Sequence, residues 1–353
     1  MKVLGISDSD SYIKWGASVL DRMPAGWETS LVVIRTPALP SPSQLESALA
    51  GTEYPAAEVP LVDLDGLAAL VARERPDAVL LSVRGPVVRV LVRMIVAAVD
   101  RRPVIVSGLP GISIPETLLA LYYRSQVDLM ILHSKREIVA FRALAAHWGI
   151  EQEFALSTLP FLSASPAAVG GGRDVVFAAQ AKVPKLLSER EQIVSWLVAA
   201  ARQQPEHRIV VKLRGLAGEQ QTHSERYPYD EILAAIPDLP ENLVVSTGPM
   251  SSHLEDAAAL VTVSSTAAIE AVAMGVPVLA IDDFGVSGPL INLVFEGSGM
   301  LGSSADLIEG VYRRPSDAWL DENYFHAASD ETWIAAIEAA VARGPVPLRK
   351  QFR

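Results

Sequence analysis

Val261-Thr262-Val263-Ser264-Ser265-Thr266-Ala267-Ala268-Ile269-Glu270-Ala271-Val272-Ala273-Met274-Gly275-Val276-Pro277-Val278-Leu279 is the most informative stretch of this 353-residue chain. A β-branched apolar run ends at Val263, three hydroxyl residues follow at once, and a helical pattern begins at Thr266. Gly275 and Pro277 close that helix and launch a second apolar run over 277–281. Strand, helix and strand in this order, with strands apolar on both faces, build a parallel sheet covered on two sides.

The same alternation runs outward in both directions. Residues 3–6, 30–34, 78–81, 104–106 and 129–132 read as buried strands, with helical patterns such as 64–75 and 87–100 between them. The pattern stops over 158–173, where Thr158-Leu159-Pro160 leads into Ser-, Ala- and Pro-rich sequence and then Gly170-Gly171-Gly172. It resumes with strands at 175–178, 209–212, 243–245 and 260–263, and with helices at 189–201 and 266–274; a last helical pattern covers 331–343. The expected fold is α/β, two facing Rossmann-like doubly wound domains with a central cleft: residues 1–165, a linker at 166–173, and residues 174–353 including the C-terminal helix. Ligands of open α/β sheets bind at the carboxyl ends of the strands, so the loops that follow strands are where a site belongs.

Composition narrows the chemistry. The chain is 50% hydrophobic and 20% charged, with no Cys, which excludes disulfides, thiol catalysis and Cys-based metal sites. A net charge of −11 argues against nucleic acid as a partner. The N-terminus turns polar at Ser7-Asp8-Ser9-Asp10, too early for a signal peptide, and the apolar stretch 257–281 is broken by Glu270 and Pro277; a cytoplasmic location is expected. The six His show no metal-ligand spacing, and neither a Gly-x-Gly-x-x-Gly nor a Walker loop occurs, so no metal and no NAD or ATP cofactor is expected.

At the start of the 266–274 helix, hydroxyls and free N–H groups suit an anion such as a phosphate. Glu270, four residues after Thr266, shares its side of the first turns and can take a sugar hydroxyl. Plain N-capping accounts for one hydroxyl, not for Ser264, Ser265 and Thr266 together. Ser-Ser-Thr, then Glu, then Gly-Val-Pro-Val is similar to the donor-binding signature of bacterial GT-B glycosyltransferases, sharply so over about residues 245–281. With Ile6-Ser-Asp-Ser-Asp-Ser-Tyr12 and Gly108-Leu-Pro-Gly-Ile-Ser-Ile-Pro115, it also resembles a bacterial glycosyltransferase family associated with genes for sialic-acid-like nonulosonates. That resemblance implies a nucleotide-sugar co-substrate, a CMP-activated acidic sugar, and a cell-surface glycan or lipid-linked acceptor.

Further candidates follow from position. Lys212 and Arg214 end a strand and can neutralise a leaving phosphate, although sialyltransferases of similar fold carry His-Pro where Arg214-Gly215 stand here. An inverting transferase needs a base for the acceptor hydroxyl; Asp8 and Asp10, after the first strand, both qualify, and both can instead cap the helix at 11–20. Gly108, Pro110 and Gly111 specify a rigid turn that can bound an acceptor pocket or be purely structural. Gln180 and His253 are weaker donor-side candidates, and His223 lies in a polar loop, 217–229, with the character of a lid. Domain closure over such a site would exclude water. The basic tail 348–353 offers at most weak contact with an anionic membrane. Two other functions fit the same fold. A nucleotide-sugar 2-epimerase is opposed by the missing Gly-rich turn before Glu270 and by Asp282-Asp283 after the strand; a non-catalytic sugar-binding protein is opposed by the lack of an export signal.

Overall fold

The computed structural model describes residues 1–162, 172–213, 215 and 225–348. The chain divides into two compact units, Met1–Ser163 with Glu322–Arg353, and Ala164–Asp321. Most of the 166–173 linker and Arg214, His223 and the tail from 349 lie outside the described residues.

The first unit runs β1 (Lys2–Ser7), α1 (Asp10–Asp21), β2 (Glu28–Ile34), α2 (Pro42–Leu49), β3 (Leu61–Val62), α3 (Leu64–Glu74), β4 (Ala78–Ser82), α4 (Gly85–Ala98), β5 (Val104–Gly108), α5 (Leu118–Arg124), β6 (Leu129–Leu132), α6 (Lys135–His147) and β7 (Glu153–Leu156). Its seven strands are parallel, in the order β3-β2-β1-β4-β5-β6-β7. Strand period two sends successive side chains to opposite faces. Val3, Val33, Leu80 and Val106 therefore pack on one face with Ile13, Trp15 and Leu20 of α1, while Leu4, Ile34, Leu81 and Ile105 pack on the other with Leu67 of α3 and Leu91 and Ile95 of α4. Every residue of β4, β5 and β6 is buried, which is why these strands read as unbroken apolar runs.

The second unit runs β8 (Asp174–Ala178), α7 (Leu187–Gln203), β9 (Arg208–Lys212), α8 (Tyr229–Ala234), β10 (Leu243–Ser246), α9 (Met250–Glu255), β11 (Ala257–Thr262), α10 (Ala267–Ala273), β12 (Val278–Ile281), β13 (Leu301–Gly302), α11 (Ser304–Glu309) and α12 (Asp317–Glu322), the last ending at the boundary. Its parallel order is β10-β9-β8-β11-β12-β13. Gly275 ends α10 at φ +75°, a left-handed position that favours glycine. The two doubly wound Rossmann-like units expected from the alternation are both present, and in each the strand order reverses beside the first strand, at β1/β4 and at β8/β11.

The C-terminal helix corrects the expected boundary. α13 (Trp333–Arg343) packs on β5, β6 and β7, and its Trp333, Ile337 and Ala340 belong to the apolar layer of the first sheet, not to the second unit. Arg22 fastens this return: its guanidinium donates to both carboxylate oxygens of Glu331 at 2.6 and 2.8 Å and to Thr158 O at 2.8 Å. Burial acts to raise the Glu331 pKa, but hydrogen bonds from Thr158, Trp333 and Arg22 outweigh it and bring it down to about 2. A carboxyl depressed in the folded state stabilises above its unfolded pKa, and that contribution is lost as pH falls toward 2. After discounting for screening of a pair that water reaches, it is worth about 1–2 kcal/mol. Urea unfolding of the wild type is expected to lose that amount more than Glu331→Gln between about pH 5 and pH 2.5. Gly108 gives a second test. A Cβ there would stand 2.5 Å from the Trp15 ring and 2.9 Å from Ile131 O, so Gly108→Ala is expected to cost about 2–3 kcal/mol in the same assay.

Candidate functional site

In each unit the carboxyl edge of the sheet carries a polar pair at the strand-order reversal, where adjacent connections leave toward opposite faces and open a crevice. In the first unit the pair is Asp8 and Arg84. Asp8 follows β1 and is fully buried; Arg84 follows β4 and caps α4. Arg84 Nε donates to Asp8 Oδ2 at 2.9 Å, while the Arg84 N–H and the Ser9 hydroxyl donate to Oδ1 at 3.2 and 3.0 Å. The second guanidinium nitrogen donates to Thr36 Oγ1 at 3.1 Å. Both oxygens of Asp8 are thus engaged, and Arg84, with 40% of its side chain exposed, presents its charge at the sheet edge.

Asp10 stands differently. Ser9 is the N-cap of α1 by position, and Asp10 is the first helical residue, partly exposed, with Oδ1 accepting from the Ser11 N–H and hydroxyl. Its other oxygen has no hydrogen-bond partner among the described residues.

The turn after β5 is held from beneath. Gly108 is the last residue of the strand, packed under Trp15, rather than a loop residue; Pro110 and Gly111 follow in the loop, partly exposed. Glu137 on α6 is completely buried. Its Oε1 accepts from the Ser113 N–H at 2.9 Å and the Tyr324 hydroxyl at 2.7 Å, and its Oε2 from the His133 N–H at 2.8 Å. Burial pushes this carboxyl above the usual range, against the pull of those bonds. Beside it, burial drives the His133 pKa down to about 4; Trp15 Nε1 donates to its Nε2 at 2.7 Å and its Nδ1 meets Ser157 O at 2.8 Å, the pattern of a neutral ring. A concavity of about 680 Å³ lined by Arg75, Asp77 and Arg102 opens at the amino ends of β4 and β5, the opposite edge from these loops.

In the second unit the pair is Gln180 and Ser264, after β8 and β11. Gln180 Nε2 donates to Ser264 O at 2.8 Å, while Gln180 Oε1 is buried without a partner among the described residues. Lys212 ends the neighbouring strand β9, is 6% exposed and donates to Leu213 O at 2.6 Å. The three hydroxyls of 264–266 divide their work. The Ser264 hydroxyl donates to Ile291 O at 2.9 Å, Ser265 Oγ accepts from the Ala267 N–H at 3.2 Å, and Thr266, already helical at φ −58°, makes no side-chain cap. Thr262 governs the turn, its Oγ1 accepting from the N–H groups of Ser264 and Ser265 at 3.2 and 3.0 Å. Glu270 lies one turn into α10, partly exposed. His253, on α9, sets its ring nitrogens 2.9 Å from Pro249 O and 2.8 Å from Ser246 Oγ.

Three residues central to this geometry carry no sequence signal or only a faint one. Arg84 follows a strand as Asp8 does, so the same positional logic reaches it. Thr262 is hidden inside the strand pattern. Arg190, buried in α7, donates to Pro184 O, Gln180 O, Ala181 O and Tyr227 O at 2.8–2.9 Å and so fixes the Gln180 loop, for which helical periodicity gives no hint. Among the described residues no group of three or more His, Asp or Glu stands where it could hold a metal ion, and no helix is long and apolar enough to cross a membrane.

The fold has solved counterparts. The UDP-GlcNAc 2-epimerase of Methanocaldococcus jannaschii superposes with a TM-score of 0.62 at 11% identity, covering 96% of this chain and 99% of its own. S. aureus MnaA, in a co-structure with UDP, gives 0.59 at 13% identity over 96% and 94%; the Neisseria meningitidis UDP-GlcNAc 2-epimerase bound to UDP-GlcNAc gives 0.57 at 11% over 97% and 99%. At such identities the likeness is one of fold. Among curated proteins none matches the chain in sequence. The chain matches, over residues 3–340, the family described as "Putative glycosyltransferase (DUF6716)", and belongs to it.

Proposed function

We propose that this protein is a metal-independent, inverting glycosyltransferase whose second unit binds a nucleotide sugar and whose first unit binds a glycan or lipid-linked acceptor. The observation that carries this reading is the group at the β8/β11 reversal: Gln180 tied to Ser264, with Lys212 ending the next strand. A buried carbonyl oxygen without a donor costs about 1–3 kcal/mol, and Gln180 Oε1 finds one in a nucleobase amine or a ribose hydroxyl. Lys212 and Arg214 balance the departing phosphate, Ser265, Thr266 and Glu270 take phosphate and sugar oxygens, and His253 flanks the base. The resemblance of segments 6–12, 108–115 and 261–281 supports a CMP-activated nonulosonate as the donor.

On the acceptor side Asp10 is the base, because it keeps a carboxylate oxygen available. Asp8 serves instead to hold Arg84 in place toward an anionic part of the acceptor, and the turn of Pro110 and Gly111 bounds the acceptor pocket.

A second reading, a nucleotide-sugar 2-epimerase, is favoured by the fold of the counterparts described above. Incubation with UDP-GlcNAc alone separates the two: the transferase reading expects no epimer without an acceptor. A thermal-shift series of CMP, UDP, GDP and CDP is expected to raise the Tm with CMP most, and Gln180→Ala to weaken that nucleotide about tenfold. Asp10→Ala is expected to lower turnover by about 10²–10⁴ with nucleotide affinity unchanged; wild-type turnover in this variant removes the proposed base.

A further inference from the structure

Glycine and asparagine are the residues that ordinarily take left-handed backbone, because a Cβ there crowds the neighbouring carbonyl. In the loop after β12 that position falls to Ile291, which ends the short turn Gly288–Leu290 at φ +58° and ψ +25°. Of the non-glycine residues with positive φ among those described, Arg75, Asp238 and Ile291, it alone is β-branched, the class for which this conformation is an outlier.

The surroundings hold it there from both sides. The Ile291 N–H donates to Gly288 O at 3.0 Å, and its carbonyl accepts the Ser264 hydroxyl at 2.9 Å. Asn292, wholly buried, pins the start of the loop: its Nδ2 donates to Gly285 O at 3.0 Å and its Oδ1 accepts the Ser287 N–H at 2.9 Å. A residue type suited to left-handed backbone thus stands one position further on, its side chain committed to the loop. The isoleucine gains little packing from its own place. Leu290 packs against the apolar layer of the second sheet, whereas Ile291 is 43% exposed. A turn that needed only the backbone would be better served by glycine, so the exposed side chain is what remains to account for the isoleucine.

Through Ser264 this residue joins the candidate donor group. Ser264 O accepts from Gln180 Nε2 while the Ser264 hydroxyl reaches Ile291 O, so Gln180, Ser264 and Ile291 form one chain of contacts beyond the carboxyl ends of β8 and β11. The other side chains assigned to that site are polar and suit phosphate and hydroxyl oxygens. An apolar branch among them suits a methyl group of the ligand instead. We infer that Ile291 is a specificity-determining residue, which selects nucleotide sugars carrying an N-acyl group by packing on the acyl methyl. The inference rests on the reading that the second unit binds a nucleotide sugar, and it holds for transferase and epimerase alike.

Calorimetry of the full chain with two matched pairs tests it without an assay of turnover. One pair is UDP-N-acetylglucosamine and UDP-glucose; the other is CMP-N-acetylneuraminate and its analogue with a hydroxyl in place of the acetamido group. In the pair that binds, the wild type is expected to favour the acylated member about tenfold. Ile291→Gly is expected to abolish that preference by weakening the acylated member alone. Its ligand-free Tm is expected to equal or exceed that of the wild type, since glycine takes φ +58° without crowding. Ile291→Asn, which also tolerates this backbone, is expected to lose the preference equally, and Ile291→Val to keep most of it. Absence of a preference in the wild type overturns the inference, as does a preference that survives in both Ile291→Gly and Ile291→Asn. A loss that falls equally on both members of the pair also overturns it, because the side chain then serves the loop and not the acyl group. A wild type that binds none of these ligands is a separate result: it removes the donor reading, and the inference with it.

Discussion

Strands buried on both faces leave polar side chains no lateral exit, and this constraint organises both units. Chemistry is pushed to the carboxyl ends, and the change is abrupt: Ser7, Ser82 and Ser107 are buried serines at or next to the ends of β1, β4 and β5. The Ser7 and Ser82 hydroxyls meet at 2.6 Å, and Ser107 donates to Leu81 O. One residue beyond Ser7, Asp8 is a fully buried carboxylate, tolerable only because Arg84, Ser9 and a backbone N–H occupy its oxygens. Both reversals thus carry a joined polar pair, ionic in the first unit and neutral in the second.

Loops at such an edge need anchoring, and buried polar side chains supply it. Arg124, 1% exposed, donates to Gly108 O, Ala120 O and Val83 O and to the Tyr12 hydroxyl, joining the ends of β4 and β5 to α1 and α5. Glu137 does the same for the Ser113 turn with three donors, one of them from the returning C-terminal segment. Arg190 repeats the device in the second unit. Removing any of these leaves several carbonyls or N–H groups in the interior without partners, so loop geometry and stability are coupled.

Much of the fold is legible in the sequence because long apolar strands and amphipathic helices have distinct periods. The central strands, α10 and its Gly275 end all stand where the alternation places them. The short edge strands β3 and β13 carry two residues each, too few to show a period. The destination of α13 is illegible for a different reason: a helical stripe of Trp333, Ile337 and Ala340 shows that one face is buried, not what buries it. Candidate site residues follow a similar rule. Position after a strand picks out Asp8, Gln180, Lys212 and Ser264, but the difference between Asp8 and Asp10 is decided by partners remote in sequence, above all Arg84.

The return of the chain after Asp321 makes the second unit an insertion between two pieces of the first. The inserted unit is contiguous in sequence and can be excised as one segment. The host unit can be rejoined only by linking Ser163 to Glu322. A chain stopped near residue 321 would retain every strand of both sheets yet uncover the host's Trp15 layer and leave Arg22 without Glu331. Damage from such a truncation therefore falls on the unit built mostly from the opposite end of the chain.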